Sequence, residues 1–405
     1  MFSYAFWRLF NAGAILFSGS VSALIVGAGE WAHAGLTQTI FSYLIFFSLG
    51  INEGIGQRIV TNREYFEPVF QRLRLTFISL SIFTLLLYIF LIRFDITLLL
   101  YLSGASSLLL FILGRLYYRG IGVLNGLSIL YMTNGFIMLF SPVLVFYTNN
   151  SLSYIYIFII ASVISSELVK LTLNKSNQAI NENNNEENKV TIDKLKELIS
   201  VGLPIMLSSL VFEIIITLDR FYINKFSDAG IVGNISLSML LVKGAIMGMG
   251  ILTTYKFRQF SKCVIDRNIF RLKSIYRKYY SIAVSGSILF VTAVYLILSS
   301  NTFLSNFPSY EQLPKVFIYH SLVLIPLAFI FPLGVISNFR FGGGSYLVAQ
   351  LGALFIYIII ISILHLFVGM LSTQQLSISV FISFSLSAIV MNNYVFKMFL
   401  RKYES

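Results

Sequence analysis

The sequence predicts an all-α polytopic membrane protein with about 12 transmembrane helices in two six-helix lobes related by a pseudo-twofold axis, both termini being cytoplasmic. Three observations predict this. Only 11% of the 405 residues are charged whereas 57% are hydrophobic, and an ordinary soluble domain has about a quarter charged residues. Apolar runs of membrane-spanning length recur along the chain, and basic residues accumulate in alternate loops. The mean hydropathy of +0.82 agrees with a lipid environment.

The apolar runs define the individual helices. A bilayer core about 30 Å thick requires roughly 20 apolar residues per helix. Runs near this length, separated by charged or turn-forming residues, are predicted at 5–27, 35–57, 75–93, 97–117, 123–147, 152–173, 198–219, 229–253, 280–299, 314–336, 346–367 and 375–396.

The distribution of Lys and Arg tests the helix count independently. These residues accumulate in cytoplasmic loops of membrane proteins. With the N-terminus placed inside, 24 of the 29 Lys and Arg residues fall on the cytoplasmic side. We therefore interpret the net charge of +12 as a record of membrane topology, and we expect no nucleic-acid partner.

A polar stretch divides the twelve helices evenly. The segment Asn181 to Asn188 contains only Asn and Glu, a composition too hydrophilic to pack against a core. We predict an N-terminal six-helix lobe at 1–173, a polar cytoplasmic linker at 174–197 and a C-terminal six-helix lobe at 198–405. Ala34-Gly35 and Ala229-Gly230 both open the second helix of their half, which indicates a repeat.

Charged side chains within the predicted spans are the candidate functional residues, because such residues usually face a bundle interior or a wet cavity. Lys243 is the sharpest candidate, since it lies mid-helix and too far from either end to reach water easily. Glu213 and Arg220 are seven residues apart and share one helix face, although Asp219 and Arg220 are also compatible with the outer end of predicted helix 7. The other candidates are Arg8 at the start of helix 1 and Glu53 in helix 2, the latter either a cavity carboxylate or a partner of Arg58.

Other chemistry is not indicated. His33, His320 and His365 occur singly, without the spacing of a metal site, and we interpret each as structural. The chain has neither a phosphate-binding loop of the Walker type nor a dinucleotide fingerprint, and no predicted loop is large enough for a catalytic domain. We therefore expect neither an enzyme nor a cofactor.

Three stretches resemble the polysaccharide flippase family, the Wzx-type O-antigen exporters of the multidrug/oligosaccharidyl-lipid/polysaccharide exporter superfamily. They are Gly35-Leu36-Thr37-Gln38 through Gly50-Ile51-Asn52-Glu53-Gly54-Ile55, then Gly202-Leu203-Pro204 with Leu218-Asp219-Arg220-Phe221-Tyr222-Ile223, and Ala229-Gly230-Ile231-Val232-Gly233-Asn234. The resemblance implies two lobes around a cationic cavity that opens alternately to the cytoplasm and the periplasm of a bacterial inner membrane. It implies a polyprenyl-diphosphate-linked oligosaccharide, an O-antigen or capsule repeat unit, as cargo.

The resemblance also assigns roles to the candidate residues. Lys243, Arg8 and Arg220 would bind the diphosphate, because a diphosphate needs a desolvated cation. Glu213, Asp219 and Glu53 would be cavity carboxylates, of which Glu213 or Asp219 would carry a coupling ion, H⁺ or Na⁺. A polysaccharide polymerase and a chain-length regulator are the partners that such an exporter would have.

Two alternatives remain open. A multidrug or cation antiporter on the same fold should present acidic rather than basic residues to its cargo, and the mixture of charges here disfavours it. A membrane polysaccharide polymerase should carry a large periplasmic loop with paired arginines, whereas every predicted outside loop is short.

Overall fold

The computed structural model describes residues 2–59, 63–91, 97–177, 191–266, 268–341 and 344–401. Within these ranges the chain is helical and contains no β-strand, as the sequence predicts. Many of the large apolar side chains are exposed, among them Phe90 (83%), Leu366 (82%) and Phe367 (86%). Side chains of this kind are stable in contact with lipid but not with water.

Fifteen α-helices form the described part of the chain. In order they are α1 Phe2–Leu44, α2 Ile51–Arg58, α3 Arg63–Phe90, α4 Thr97–Gly120, α5 Leu124–Met138, α6 Ser141–Thr148, α7 Leu152–Asn177, α8 Ile192–Phe226, α9 Ala229–Ile265, α10 Ile269–Leu298, α11 Asn301–Asn306, α12 Leu313–Ser321, α13 Leu324–Phe341, α14 Gly344–Val368 and α15 Thr373–Arg401.

The helices account for the predicted number of spans. Ten helical stretches of the described residues are long and apolar enough to cross a membrane, and the bent pair Pro308–Ser321 and Leu324–Gly334 adds an eleventh. The first stretch, Ser3–Ser48, contains a break at Gly27, where φ is 79° and ψ is 169°. Counting the two sides of this break separately gives the predicted twelve.

Several helices are longer than the predicted spans. α8 begins at Ile192 and ends at Phe226, whereas the sequence predicts a span at 198–219. α7 likewise extends to Asn177, so helix occupies both ends of the predicted 174–197 linker, whose residues 178–190 lie outside the described ranges. Hydropathy marks only the apolar part of a helix, and backbone hydrogen bonding continues into the polar flanks.

The chain forms two compact units. One comprises Met1–Ile25 and Leu36–Leu210, and the other comprises Val26–Gly35 and Val211–Ser405. The division at Leu210 lies inside α8. The predicted lobes at 1–173 and 198–405, and the pseudo-twofold relation between them, stay predictions.

In the first unit, α4 packs against α2, α3, α5 and α7. The start of α8 joins this unit through contacts that leave no room for side chains. A Cβ atom at Gly202 would lie 1.8 Å from the carbonyl oxygen of Gly50, and a Cβ at Gly54 would lie 2.2 Å from the carbonyl oxygen of Leu198. Gly50 also has φ 79°, a conformation that disfavours other residues. These glycines therefore let two backbones touch.

In the second unit, α9 packs against α10, α12 and α13, and α13 packs against α14 and α15. The segment 26–35 of α1 lies against α9. A Cβ at Gly233 would lie 1.7 Å from the carbonyl oxygen of Ala28, and a Cβ at Gly35 would lie 2.3 Å from the Ser236 hydroxyl. These close approaches pack this part of α1 directly against α9.

Candidate functional site

The second unit brings two of the predicted site residues together as an ion pair. Lys243 of α9 donates a hydrogen bond from Nζ to Oε1 of Glu213 on α8. The side chains keep 25% and 18% of their surface exposed. The pair is thus desolvated enough for its charges to interact strongly, but a ligand or solvent can still reach it.

A second charged group of this unit is sealed from solvent. Asp219 and Arg220 are each 3% exposed and His320 of α12 is 4% exposed. Oδ2 of Asp219 lies 3.1 Å from Nε2 of His320, and Nδ1 of His320 lies 2.7 Å from Oγ of Ser238 on α9. We call Asp219, His320 and Ser238 the buried relay.

The chemistry of the buried relay follows from its hydrogen bonds. An ionised carboxylate only accepts hydrogen bonds, so Nε2 of a neutral His320 carries the proton and Nδ1 accepts from the Ser238 hydroxyl. Oδ1 of Asp219 accepts from the backbone N–H of Arg220 at 2.8 Å. Ser238 is 0% exposed, which keeps substrates away from its hydroxyl and rules out a nucleophilic role.

Arg220 faces the same unit and connects the buried relay to α1. Its Nη1 donates to the backbone carbonyl of Gly35 at 3.3 Å. The interpretation that Asp219 and Arg220 mark the outer end of predicted helix 7 stays a prediction, as does their assignment to the site. α8 continues to Phe226, and both side chains are buried within the unit.

The first unit contains the remaining predicted residues, Arg8 and Glu53. Nη1 of Arg8 donates to the hydroxyl of Tyr4 at 3.2 Å. Glu53 is half-buried on α2, and its Oε2 has no hydrogen-bond partner among the described residues. Arg58 forms its ion pair with Glu197 at 3.1 Å instead of with Glu53. The six predicted residues therefore divide between the two units and do not form one cluster within either.

Sequence reasoning missed two features. It treated His320 as structural, because a lone histidine carries no sequence signal of its partner. It also missed the burial of Arg74, which is 2% exposed and donates from Nη1 to Oε1 of Glu167 at 2.7 Å. The signal in the sequence was Glu167 itself, a carboxylate within the predicted span 152–173, because a charge in an apolar helix usually has a partner.

Other kinds of site find little support in the described ranges. They contain no group of three or more His, Cys, Asp or Glu side chains that could hold a metal ion. A groove between α14 and α15 is lined by apolar and small residues such as Ala349, Gly352 and Ser387. None of the predicted charged residues lines that groove, so the charged groups of α8 and α9 remain the best candidates.

Solved structures show what this arrangement of helices resembles. An inward-facing multidrug resistance MATE family transporter of the MOP superfamily superposes with a TM-score of 0.69 at 14% identity, covering 98% of this chain and 96% of that one. An outward-facing structure described in the same words has a TM-score of 0.67 at 13% identity, covering 100% and 96%. This chain has the MATE transporter fold.

A further structure with the MATE fold differs in the character of its pocket. It is a MOP superfamily transporter from Pyrococcus furiosus whose reversed binding-pocket polarity suggests a different function for that protein; its TM-score is 0.65 at 14% identity, covering 98% and 94%. No family model matches the sequence, and no curated protein matches it either. At these identities the likeness establishes the fold alone.

Proposed function

We propose that this protein is an alternating-access exporter that moves a polyprenyl-diphosphate-linked oligosaccharide from the cytoplasmic to the periplasmic leaflet of a bacterial inner membrane. The observation that carries the proposal is the Lys243–Glu213 pair. A lysine within an apolar helix is costly, and here it remains paired and partly exposed. That combination suits a cation that binds an anionic cargo and releases it again.

The charge of the proposed cargo makes its export electrically favourable. A diphosphate diester carries about two negative charges, and the interior of a bacterial cell is electrically negative. Moving each charge outward gains about 2.3 kcal/mol per 100 mV. Export of this cargo is therefore electrically downhill, and the protein must chiefly lower the cost of carrying the charged head group through the membrane.

The buried relay is our candidate for ion coupling. Asp219 and His320 share one hydrogen bond and can take up a proton with little rearrangement. Arg220 lies beside them and contacts Gly35. A change of charge at Asp219 would therefore act on the α1 segment that packs in the same unit. Glu213 and Glu53 are the other carboxylates that we propose for the cargo path.

A multidrug or cation antiporter is the second candidate. Its support is the MATE fold, because the neighbours with that fold include proteins described as multidrug resistance transporters. In such a protein Glu213 would receive a cationic drug. The lysine already bound to that carboxylate makes this function the weaker of the two.

The test compares Lys243→Gln with Lys225→Gln, which removes an exposed lysine from the end of α8 in the same unit. The purified full-length chain in nanodiscs is titrated with geranylgeranyl diphosphate. Proteoliposomes then report the flipping of a fluorescent polyprenyl-diphosphate disaccharide by its accessibility to dithionite. We expect Lys243→Gln to weaken binding at least tenfold and to slow flipping, whereas Lys225→Gln changes neither.

Two results would count against the exporter. Equal binding and flipping by Lys243→Gln and the wild type would remove the assigned diphosphate site. Failure of the wild type to bind the lipid diphosphate, combined with proton-driven transport of ethidium, would establish the cation antiporter in its place.

A further inference from the structure

Two helices near the end of the chain enclose a groove that the Lys243 site does not use. α14 and α15 pack side by side in the second unit, and the hydroxyl of Ser387 donates to the carbonyl of Ala349 at 3.2 Å across their contact. Beside this contact lies a groove of about 360 Å³, the α14–α15 groove. Its lining includes Ser345, Ala349, Gly352, Ala353, Leu386 and Val390. A volume of this size is typical of a ligand site and larger than the voids of a packed interior.

The α14–α15 groove opens onto the lipid-facing surface. Val348 and Val390 of its lining are 69% and 60% exposed, whereas Ala353 is 1% exposed. Among the residues that the structure describes, no charged side chain lines the groove. A polar group placed there would lose its hydrogen bonds to water, so the groove suits a hydrocarbon chain.

Gly352 keeps the α14–α15 groove open. A Cβ atom at this position would meet no atom within 4 Å, so no neighbouring helix requires a glycine there. A glycine inside a helix is less stable than an alanine. Gly352 thus leaves space in the groove without improving the packing of the helices.

The small residues of α14 recur at a regular spacing. Ser345, Ala349 and Ala353 lie four residues apart, which is about 6 Å along the helix. The methyl branches of an isoprenoid chain recur once in every four main-chain carbons, a distance close to the pitch of a helix. The positions of the small residues therefore leave room for methyl branches. A linear acyl chain has no branches and gains nothing from this spacing.

The α14–α15 groove lies toward the cytoplasmic ends of its two helices. α14 begins at Gly344 and α15 ends at Arg401, and the sequence places both of these ends on the cytoplasmic side. The lining residues fall at 345–356 on α14 and at 386–391 on α15. The tail of a lipid in the cytoplasmic leaflet lies at this depth.

We propose that the α14–α15 groove binds the polyprenyl tail of the cargo, in the segment next to the diphosphate, while the cargo is in the cytoplasmic leaflet. The inference rests on the proposed function, which supplies the isoprenoid. The stretch from Ser345 to Ile356 is about 16 Å long, enough for about three isoprene units. Because the tail leaves lipid and not water, its binding depends on van der Waals packing of the branches. Shape therefore decides the affinity.

The shape of the tail provides the test. The full-length chain in nanodiscs is titrated with geranylgeranyl diphosphate and with hexadecyl diphosphate, whose unbranched chain has the same main-chain length. We expect the wild type to bind the branched lipid at least fivefold more tightly. Gly352→Leu, which fills the groove, should abolish this preference, and Gly352→Ala should reduce it in part. The Kd of hexadecyl diphosphate should stay within about twofold in both variants, because the head-group site is intact.

The matched control is Gly286→Leu. It adds the same side chain at an exposed glycine of α10, where a Cβ atom also meets no atom within 4 Å. This variant should keep the preference of the wild type for the branched lipid. Thermal melting confirms that each variant is folded.

Photolabelling locates the tail directly. Geranylgeranyl diphosphate with a diazirine on its first isoprene units should label peptides that contain 345–356 and 386–391. An excess of unlabelled geranylgeranyl diphosphate should suppress this labelling, whereas an excess of phosphatidylglycerol should not.

The outcomes separate the groove from the proposed function. Equal affinity of the wild type for the two diphosphates, or an unchanged preference in folded Gly352→Leu, would overturn the inference. Suppression of the labelling by phosphatidylglycerol would also overturn it and would make the groove an ordinary phospholipid contact. Failure of the wild type to bind either diphosphate would refute the proposed function. Diazirine-labelled geranylgeraniol, which has no diphosphate, would then decide the groove: labelling of α14 and α15 would support an isoprenoid site, and its absence would overturn one.

Discussion

Glu213→Gln is expected to tighten anion binding at Lys243 rather than to weaken it. In the structure the carboxylate of Glu213 is bound to the ammonium group of Lys243. A diphosphate must therefore displace this carboxylate before it can bind to Lys243. Glutamine keeps the shape and one hydrogen-bond acceptor but removes the competing charge.

The size of the effect follows from the exposure of the pair. Two unit charges in contact, about 3 Å apart, attract by about 5 kcal/mol at an effective dielectric constant of 20. Exposed pairs contribute about 0–1 kcal/mol to stability, and loss of one partner of a buried pair costs about 3–5 kcal/mol. With 25% and 18% exposure, this pair lies between those limits. Because glutamine retains part of the contact, about 1–2 kcal/mol of competition is removed, which is about a 5- to 30-fold decrease in Kd.

The assay is the titration of nanodiscs with geranylgeranyl diphosphate, combined with the flipping measurement. Glu213→Gln should lower the Kd of the diphosphate and slow flipping, because a cargo that binds more tightly is released more slowly. Glu311→Gln, which removes an exposed carboxylate of the same unit, is the control and should change neither value. The double variant Glu213→Gln/Lys243→Gln should behave as Lys243→Gln does.

Two outcomes would refute this reasoning. If Glu213→Gln weakened diphosphate binding as much as Lys243→Gln, Glu213 would serve to position Lys243 and would not compete with the cargo. An additive double variant would also refute the reasoning, because additivity would show that Glu213 affects binding independently of its contact with Lys243.

Three further predictions follow from other parts of the structure. Asp219→Asn and His320→Gln should each slow flipping while the Kd of the lipid diphosphate stays within about twofold, because the buried relay is sealed from the cargo; loss of binding would contradict this. Gly202→Ala should lower the free energy of unfolding by about 1–3 kcal/mol or more through overpacking, because the new Cβ would lie 1.8 Å from a backbone oxygen. The control Gly248→Ala places its Cβ where no atom lies within 4 Å and should leave the free energy of unfolding unchanged or raise it. Burial raises the pKa of the Cys263 thiol, so iodoacetamide labelling should be slow at pH 7 and should accelerate as the pH rises and more thiolate forms; rapid labelling at pH 7 would count against this.

The fold could be predicted from the sequence because the membrane imposes a length on each helix. Apolar runs of about 20 residues and the distribution of basic residues led to the predicted twelve spans. Breaks within helices were not predictable in this way. The break at Gly27 and the left-handed residues Leu49 and Gly50 arise from packing against other helices, and the composition of the run does not reveal them.

The candidate site was predicted only in part. Lys243 and Glu213 were recognised one by one from the cost of placing a charge in an apolar helix, but the sequence did not show that they face each other. The contact between Arg74 and Glu167 was likewise not visible, because a basic residue that satisfies the positive-inside rule can also be buried against a carboxylate, and the sequence pattern does not distinguish the two roles.

The two groups of charged residues in the second unit differ in their exposure to solvent. Lys243 and Glu213 keep enough exposure to exchange ligands, whereas Asp219, Arg220 and His320 are 3–4% exposed. A sealed charge cannot be compensated by solvent, so a proton gained at the buried relay must be balanced by neighbouring protein groups. The guanidinium of Arg220 and the carbonyl of Gly35 are such groups. In the proposed exporter, binding of the anion at the partly exposed pair and a change of conformation driven from the buried relay would therefore be separable functions, and we expect substitutions at the two groups to affect affinity and rate differently.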